Sequence, residues 1–219
     1  MLSGWGEFIA GFAVFFVSHA VPVRGAIKSR ISTLISPRGF TIVYSTLSTA
    51  ILAWLIVAAG RAPYIEIWAF APWQKHVPLA GMAIATIVTA LAIGRPNPLS
   101  FGGSNNSRFD PQNPGLVGWL RHPLLFVLLI WSLAHIVPNG DLAHIILFGV
   151  FAGFALLGHL LINRRQKRLL GTAEWSRLIA TKRRLTLTKN GLARLTIGIA
   201  LYLLLLILHT PIIGISPLP

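Results

Sequence analysis

The sequence contains no cysteine, and only five of its 219 residues are Asp or Glu. Without cysteine it cannot form a disulfide, a zinc ribbon, a thiolate haem ligand or a cysteine nucleophile. Charged residues make up 11% of the chain, against the roughly 25% that is usual in soluble domains. This scarcity excludes an ordinary soluble enzyme, and the hydrophobic fraction of 54% excludes a disordered chain.

Long apolar runs fill most of the sequence and predict an all-α, polytopic membrane helix bundle. A transmembrane helix needs roughly 17–25 mostly apolar residues. About six segments qualify, namely 7–23, 40–59, 77–94, 116–137, 142–162 and 192–213. The fourth contains Arg121 and His122, so we expect its helix either to begin before Arg121 or to enter the membrane only partway. Because no internal repeat or low-complexity tract is visible, we interpret residues 1–219 as one domain.

The basic residues lie in alternate loops and predict the orientation. The net charge of +14 is also typical of nucleic-acid-binding proteins, but apolar runs of this length favour a membrane protein, so we expect no nucleic-acid partner. The first, third and fifth loops are the basic ones. Since cytoplasmic loops carry the excess of Lys and Arg, we predict that both termini are periplasmic.

The fifth loop is the most basic, and Glu174 is its only acidic residue. Apolar side chains alternate with its Lys and Arg residues between 164 and 189. Such a stretch either lies on the anionic inner leaflet or serves only as a positively charged topology anchor.

Histidines are the most informative polar residues, because carboxylates are nearly absent. A carboxylate-bridged di-metal site needs several Asp or Glu residues, and a Ser-His-Asp triad needs a buried acid. Imidazole remains as the strong ligand, and paired histidines in a helix bundle can hold haem iron. The alternative for each histidine is an interfacial position or a hydrogen bond to a helix carbonyl. Counted along their helices, His19 lies towards the cytoplasm and His135 towards the outside, which disfavours their pairing.

Several motifs, taken in order, resemble the NnrU family over essentially the whole chain. They are Ser-His-Ala-Val-Pro-Val-Arg at 18–24, Pro-Asn-Pro-Leu-Ser at 96–100, Arg-His-Pro-Leu-Leu at 121–125, Trp-Ser-Leu-Ala-His at 131–135, Asn-Gly-Asp at 139–141, and Asn-Arg-Arg at 163–165 in place of the family's Asp-Arg-Arg. The resemblance implies a multi-pass protein of the bacterial inner membrane that contacts the lipid bilayer. It also implies a link to denitrification, with nitrite and nitric oxide reductases as candidate partners.

The family is in turn similar to 15-cis-ζ-carotene isomerase, a membrane protein that binds haem b through histidines. By motif match, this resemblance assigns His19 and His135 as the metal ligands. Arg121 and His122 are the candidate contacts to haem propionates, since Arg pairs well with carboxylates; for Arg121 the alternative is positive-inside anchoring. The resemblance therefore also allows an isomerase-like haem enzyme. A coordinating cysteine of the isomerase is Ser132 here, which argues against ligand switching and carotene isomerisation.

Two other functions remain open from the sequence. One is a non-catalytic accessory or assembly factor for a reductase. The other is a diverged methyltransferase-like membrane enzyme, because Arg121-His122-Pro123 also resembles isoprenylcysteine carboxyl methyltransferases. In those enzymes a later Glu-Glu pair helps to bind S-adenosylmethionine, whereas the corresponding stretch here, 164–168, is basic.

Overall fold

The computed structural model describes residues 4–22, 24–184 and 186–219. These residues form seven α-helices: α1 (Gly6–Ala20), α2 (Gly25–Arg61), α3 (His76–Ala92), α4 (Pro123–Ile136), α5 (Leu142–Leu170), α6 (Thr172–Ile179) and α7 (Lys189–Ile213). Short 3-10 turns lie at Pro72–Lys75, Asn106–Arg108 and Gly115–Gly118. Within the described part of the chain, the only β-type pairing is an isolated bridge between Glu66 and Asp141. The prediction of an all-α membrane helix bundle is confirmed.

Each of the six predicted spans contains a helix, but the helices differ in length. Among the described residues, four are long and apolar enough to cross a membrane: Gly25–Arg61, Pro72–Ala92, Leu142–Leu170 and Lys189–Ile213. The apolar helices α1 and α4 have 15 and 14 residues. At ~1.5 Å per residue they are about 22 and 21 Å long, shorter than the ~30 Å hydrocarbon core. The predicted end of the first span, Val23, lies outside the described residues.

Of the two alternatives for the fourth span, a helix that begins before Arg121 is wrong, and a helix that enters the membrane only partway stays a prediction. The helix starts at Pro123, and His122 before it has a non-helical backbone with φ −118° and ψ 70°. A proline disfavours the helical conformation in the preceding residue. Proline itself suits the first helical position, where its missing N–H is not needed. The Arg-His pair therefore lies on a connecting segment at the entrance to the helix.

The chain divides into two compact units, and the prediction of a single domain stays a prediction. The first unit comprises the chain up to Trp68 together with Asp141–Leu147. In it α1 packs against α2, and Leu55 lies so close to Gly11 that a Cβ there would be 2.8 Å from Leu55 Cδ2. Helix α2 is kinked at Ser36, whose φ is 68°. The Ser36 hydroxyl accepts from the Gly39 amide at 3.1 Å and so caps the segment that starts at Pro37.

The second unit, Ala69–Gly140 with Phe148–Pro219, contains the candidate site. Helix α3 packs against both α4 and α7. Glycines permit both close approaches: a Cβ on Gly81 would lie 2.8 Å from the Ala134 Cβ, and one on Gly198 would lie 2.8 Å from the Ile87 Cα. Small residues allow such contacts between membrane helices. Trp175 and Leu178 of α6 form an apolar cluster with Leu99, Phe109 and Val117 of the segment between α3 and α4.

Helix α7 shows most directly that the protein contacts lipid. Of its residues only Gly198 is buried, whereas Ile207 and Ile212 are each 71% exposed. An apolar surface of this extent is unfavourable in water and suits a hydrocarbon environment.

Candidate functional site

The connection between α3 and α4 is fixed by Asn97, which is only 3% exposed. Its side-chain oxygen accepts from the Leu99 amide at 3.1 Å, and its side-chain nitrogen donates to the Arg121 carbonyl at 3.0 Å. The Asn97 amide itself donates to the Asn106 side chain at 2.9 Å. These bonds fold the loop back on itself, so that Ser100 comes to lie beside His122.

His122 is the most enclosed histidine of this unit, with 2% of its surface exposed. Its Nε2 lies 2.9 Å from Asn163 Oδ1, and its Nδ1 lies 2.9 Å from the Ser100 hydroxyl. Arg121 also donates to Asn163 Oδ1, at 3.4 Å. Since Arg is only a donor, that atom is an acceptor, and Nε2 of His122 must carry the hydrogen. In the neutral ring Nδ1 then accepts from Ser100.

The environment of His122 favours the neutral ring. Burial lowers the pKa of His122 below its usual value of 6.5, and the nearby His159 and Arg121 lower it further, while the bond to Asn163 opposes them. The His159 ring meets His122 edge-on, with centroids 4.4 Å apart. A neutral imidazole with both nitrogens bonded is well suited to hold α4, α5 and the loop together.

Arg121 extends this polar cluster to α6. Its guanidinium lies 5.6 Å from the centre of the Trp175 ring. Trp175 is buried in the apolar cluster of α6, and a cation over an aromatic face is attracted by the ring quadrupole. We call Asn97, Ser100, Arg121, His122 and Asn163 the RHP cluster, after its Arg-His-Pro segment. It joins four parts of the second unit around one buried imidazole.

His135, at the other end of α4, is bonded differently. Its Nδ1 lies 2.8 Å from the Trp131 carbonyl, one helical turn earlier. A carbonyl only accepts, so Nδ1 carries the hydrogen and the lone pair is on Nε2. The ring lies among aromatic side chains, 5.6 Å from Trp131 and 5.4 Å from Phe148 between centroids. This is the tautomer that metal-binding histidines commonly adopt.

His19 shows the same local geometry in the first unit. Its Nδ1 donates to the Phe15 carbonyl at 2.9 Å, again four residues earlier. The ring packs on Phe15, with centroids 4.2 Å apart, and its edge meets Tyr44 at 5.7 Å. His19 therefore also carries its lone pair on Nε2.

Ser132 stands where the isomerase has a coordinating cysteine, and its hydroxyl is fully buried. It donates to the Leu128 carbonyl at 2.7 Å, one turn back along α4. The hydroxyl is therefore used within the helix. In the described residues no group of three or more His, Asp or Glu side chains could hold a metal ion.

Sequence reasoning named Arg121 and His122 but not their partners Asn97, Ser100 and Asn163. All three partners lie inside motifs that carry the family resemblance, in 96–100 and 163–165. Their place in these motifs could have marked them as candidate site residues. The sequence does not show which residues pair, because the hydrogen-bonded residues are 22 to 42 positions apart. The pairing of His144 with Asp141, at 2.7 Å across the first turn of α5, was also missed. The local sequence signal for this pair is an Asp just before a helix, followed three positions later by a basic residue.

Comparison with known proteins agrees with the motifs. The family model described as NnrU protein matches residues 7–217. No curated protein and no solved structure matches the chain. Since the match extends over nearly all of the sequence, this chain belongs to the NnrU family.

Proposed function

We propose that this protein binds haem b in the bacterial inner membrane and serves denitrification, the reduction of nitrite and nitric oxide. The proposed axial ligands are His19 and His135. We further propose a multi-pass topology with periplasmic termini, and nitrite and nitric oxide reductases as partners. Family membership supports the link to denitrification, and the geometry of the two histidines supports the cofactor.

The observation that carries the proposal is the shared tautomer of His19 and His135. In each ring Nδ1 donates to the carbonyl four residues earlier, at 2.9 and 2.8 Å. Such a bond fixes the ring orientation and raises the basicity of the other nitrogen. The same bond in two separate helices leaves the Nε2 lone pair of each ring as the atom that could bind a metal. The donor chemistry of both residues therefore fits a haem iron.

The surroundings of the two rings also suit a porphyrin. Phe15 and Tyr44 border His19, and Trp131 and Phe148 border His135. Aromatic and apolar side chains exclude water and favour a flat hydrophobic ligand. When bound, haem would supply one-electron transfer. The protein's part would be to hold the iron ligands, orient them and keep water away.

The RHP cluster bears on the proposed propionate contacts. The guanidinium of Arg121 presents donors in a fork that matches a carboxylate. His122 would first have to give up a hydrogen bond to Ser100 or Asn163, at 2.9 Å each, inside a site that is 2% exposed. We therefore assign the propionate contact to Arg121, with His122 holding Arg121 in place through Asn163.

The test is the visible spectrum of the detergent-purified protein, expressed with ample haem and recorded oxidised and dithionite-reduced. We expect a Soret band and a sharp reduced α-band in the wild type. His19→Ala and His135→Ala should each lose the six-coordinate spectrum. The matched control is His76→Ala, because His76 is exposed at the start of α3.

Full haem content in both ligand variants would disprove the assignment. A wild-type protein without visible absorption at full haem supply would remove the haem proposal altogether. The accessory role would then become the leading function, and a denitrification growth assay with a His19, His122 and His135 triple variant would test it.

A further inference from the structure

The end of α5 forms an open groove that the proposed haem function does not use. Its lining residues are Leu161, Arg164, Lys167, Arg168, Gly171 and Thr172. The groove has a volume of about 740 Å³ and is largely open on one side. Three cationic side chains point at this one space because they are spaced i, i+3 and i+4 on the helix.

The positive charge of the groove is not neutralised by the protein. In the part of the chain that the structure describes, the ion pairs are Arg61–Glu7, His144–Asp141 and Arg177–Glu174. None of them involves Arg164, Lys167 or Arg168. The one acidic residue of the following helix, Glu174, is held by Arg177 in two bonds of 2.7 Å. Three neighbouring cations repel each other, and a bound anion would relieve this repulsion.

The groove lies where the membrane's hydrocarbon ends. The apolar part of α5, residues 142–162, has 21 residues and is about 31 Å long, which matches a hydrocarbon core of ~30 Å. Arg164 therefore follows directly after the apolar segment. Leu161, one turn earlier on the same face, is 61% exposed and borders the groove from the apolar side. The site thus combines an anion-binding end with a lipid-facing end.

The turn after α5 completes the polar end. Gly171 has φ 77°, a conformation that favours glycine, and it lets α6 start at Thr172 beside the last turn of α5. The first backbone N–H groups of α6 lie at the end of the helix that borders the groove. Their partial positive charge adds to the charge of the three cationic side chains.

We propose that this groove binds the phosphodiester head group of an anionic phospholipid. The three cations hold the phosphate, and an acyl chain lies along Leu161 towards the exposed Leu157 and Leu160 of the same helix. A soluble phosphate would use the cations but would gain nothing from the apolar end. This inference goes beyond the proposed haem function and does not depend on it.

The experiment titrates the detergent-purified full-length protein with phosphatidylglycerol, cardiolipin and phosphatidylcholine, and native mass spectrometry counts the bound lipid. We compare Arg164→Gln/Arg168→Gln with Arg165→Gln/Arg184→Gln, which removes the same charge outside the groove. Since each basic residue near a membrane surface contributes about 1 kcal/mol, the groove variant should bind anionic lipid roughly tenfold or more weakly. The control variant should bind like the wild type.

Equal loss in both variants would overturn the proposal, because it would mean that net charge alone attracts the lipid. Displacement of the lipid by inorganic phosphate at equal concentration would also overturn it, because the site would then be a phosphate site. All these side chains are exposed, so we expect the variants to fold. Should the double variant fail to fold, Arg164→Gln and Lys167→Gln measured singly decide the question.

Discussion

The two ends of α4 carry a histidine each, and they use it in opposite ways. At the start of the helix, His122 bonds through both nitrogens to side chains of the loop and of α5. At its end, His135 bonds through Nδ1 to a carbonyl of its own helix. The first arrangement ties separate parts of the protein together and uses the whole ring. The second orients the ring and leaves the lone pair on Nε2, as a ligand requires. The bonding of the ring, rather than its position in an apolar helix, separates a structural histidine from a candidate ligand.

The largest expected effect on stability comes from removing the imidazole at either end of α4. His122→Ala removes the buried partner of the Ser100 hydroxyl and leaves Asn163 Oδ1 with only its longer bond from Arg121, so we expect a loss of about 2–3 kcal/mol of stability. His135→Ala breaks only a bond within its own helix and should cost about 1 kcal/mol, from lost packing. Thermal unfolding in detergent measures both. A larger loss in His135→Ala than in His122→Ala would contradict the comparison.

Protonation of His122 at acidic pH should destabilise the RHP cluster less than removal of the ring does, since only the charge of the ring changes. The folded pKa of His122 lies below its unfolded value near 6.5 because the ring is buried. A depressed pKa means that the unfolded state takes up the proton more readily. The contribution is therefore fully present above about pH 6.5 and is lost as the pH falls through the folded pKa.

The check is the melting temperature of the wild type and of His122→Gln between pH 7.5 and 5. The wild type should lose more than the variant, because glutamine does not titrate. Parallel curves for the two proteins would show that His122 contributes nothing to the acid sensitivity.

Asn163→Asp, which restores the family's Asp-Arg-Arg motif, should reduce the acid sensitivity of the melting temperature, since a carboxylate beside His122 raises its pKa.

The smallest expected effect concerns Arg121, which is only half-buried. Arg121→Lys keeps the charge but replaces the planar fork over Trp175 and its long bond to Asn163. We expect a loss of stability below about 1 kcal/mol. Under the proposed function, the same variant should raise haem dissociation, because lysine pairs less well with a propionate. Unchanged haem dissociation would leave Arg121 with the anchoring role only.

Much of the fold followed from local features of the sequence. The apolar runs located the six apolar helices, but hydropathy places 164–168 in the loop after the fifth span, whereas α5 continues through it to Leu170. The start of α4 did not follow, because apolar composition alone extends the predicted segment back to residue 116. Pro123 restricts the backbone of the residue before it, so the helix does not extend back past residue 123. Hydropathy does not report this restriction.

The candidate site was accessible in part. Arg121, His122, His19 and His135 could be named from their motifs, since unusual polar residues in apolar segments are rare and conspicuous. The partners of His122 could not be named, because a hydrogen bond between residues 41 positions apart depends on how the loop and α5 come together. Asn97 is an example: its three bonds shape the loop, yet in the sequence it is one polar residue among many in a turn-rich segment.

By itself the sequence determined the membrane class, the approximate positions of the six apolar helices and the family. These depend on composition and local periodicity, which each segment carries alone. Only the tertiary structure decided that His122 is held by Ser100 and Asn163 and that Arg121 lies over Trp175. Such properties arise when distant segments pack, because burial and hydrogen-bond geometry belong to the assembled neighbours and not to any one stretch of the chain.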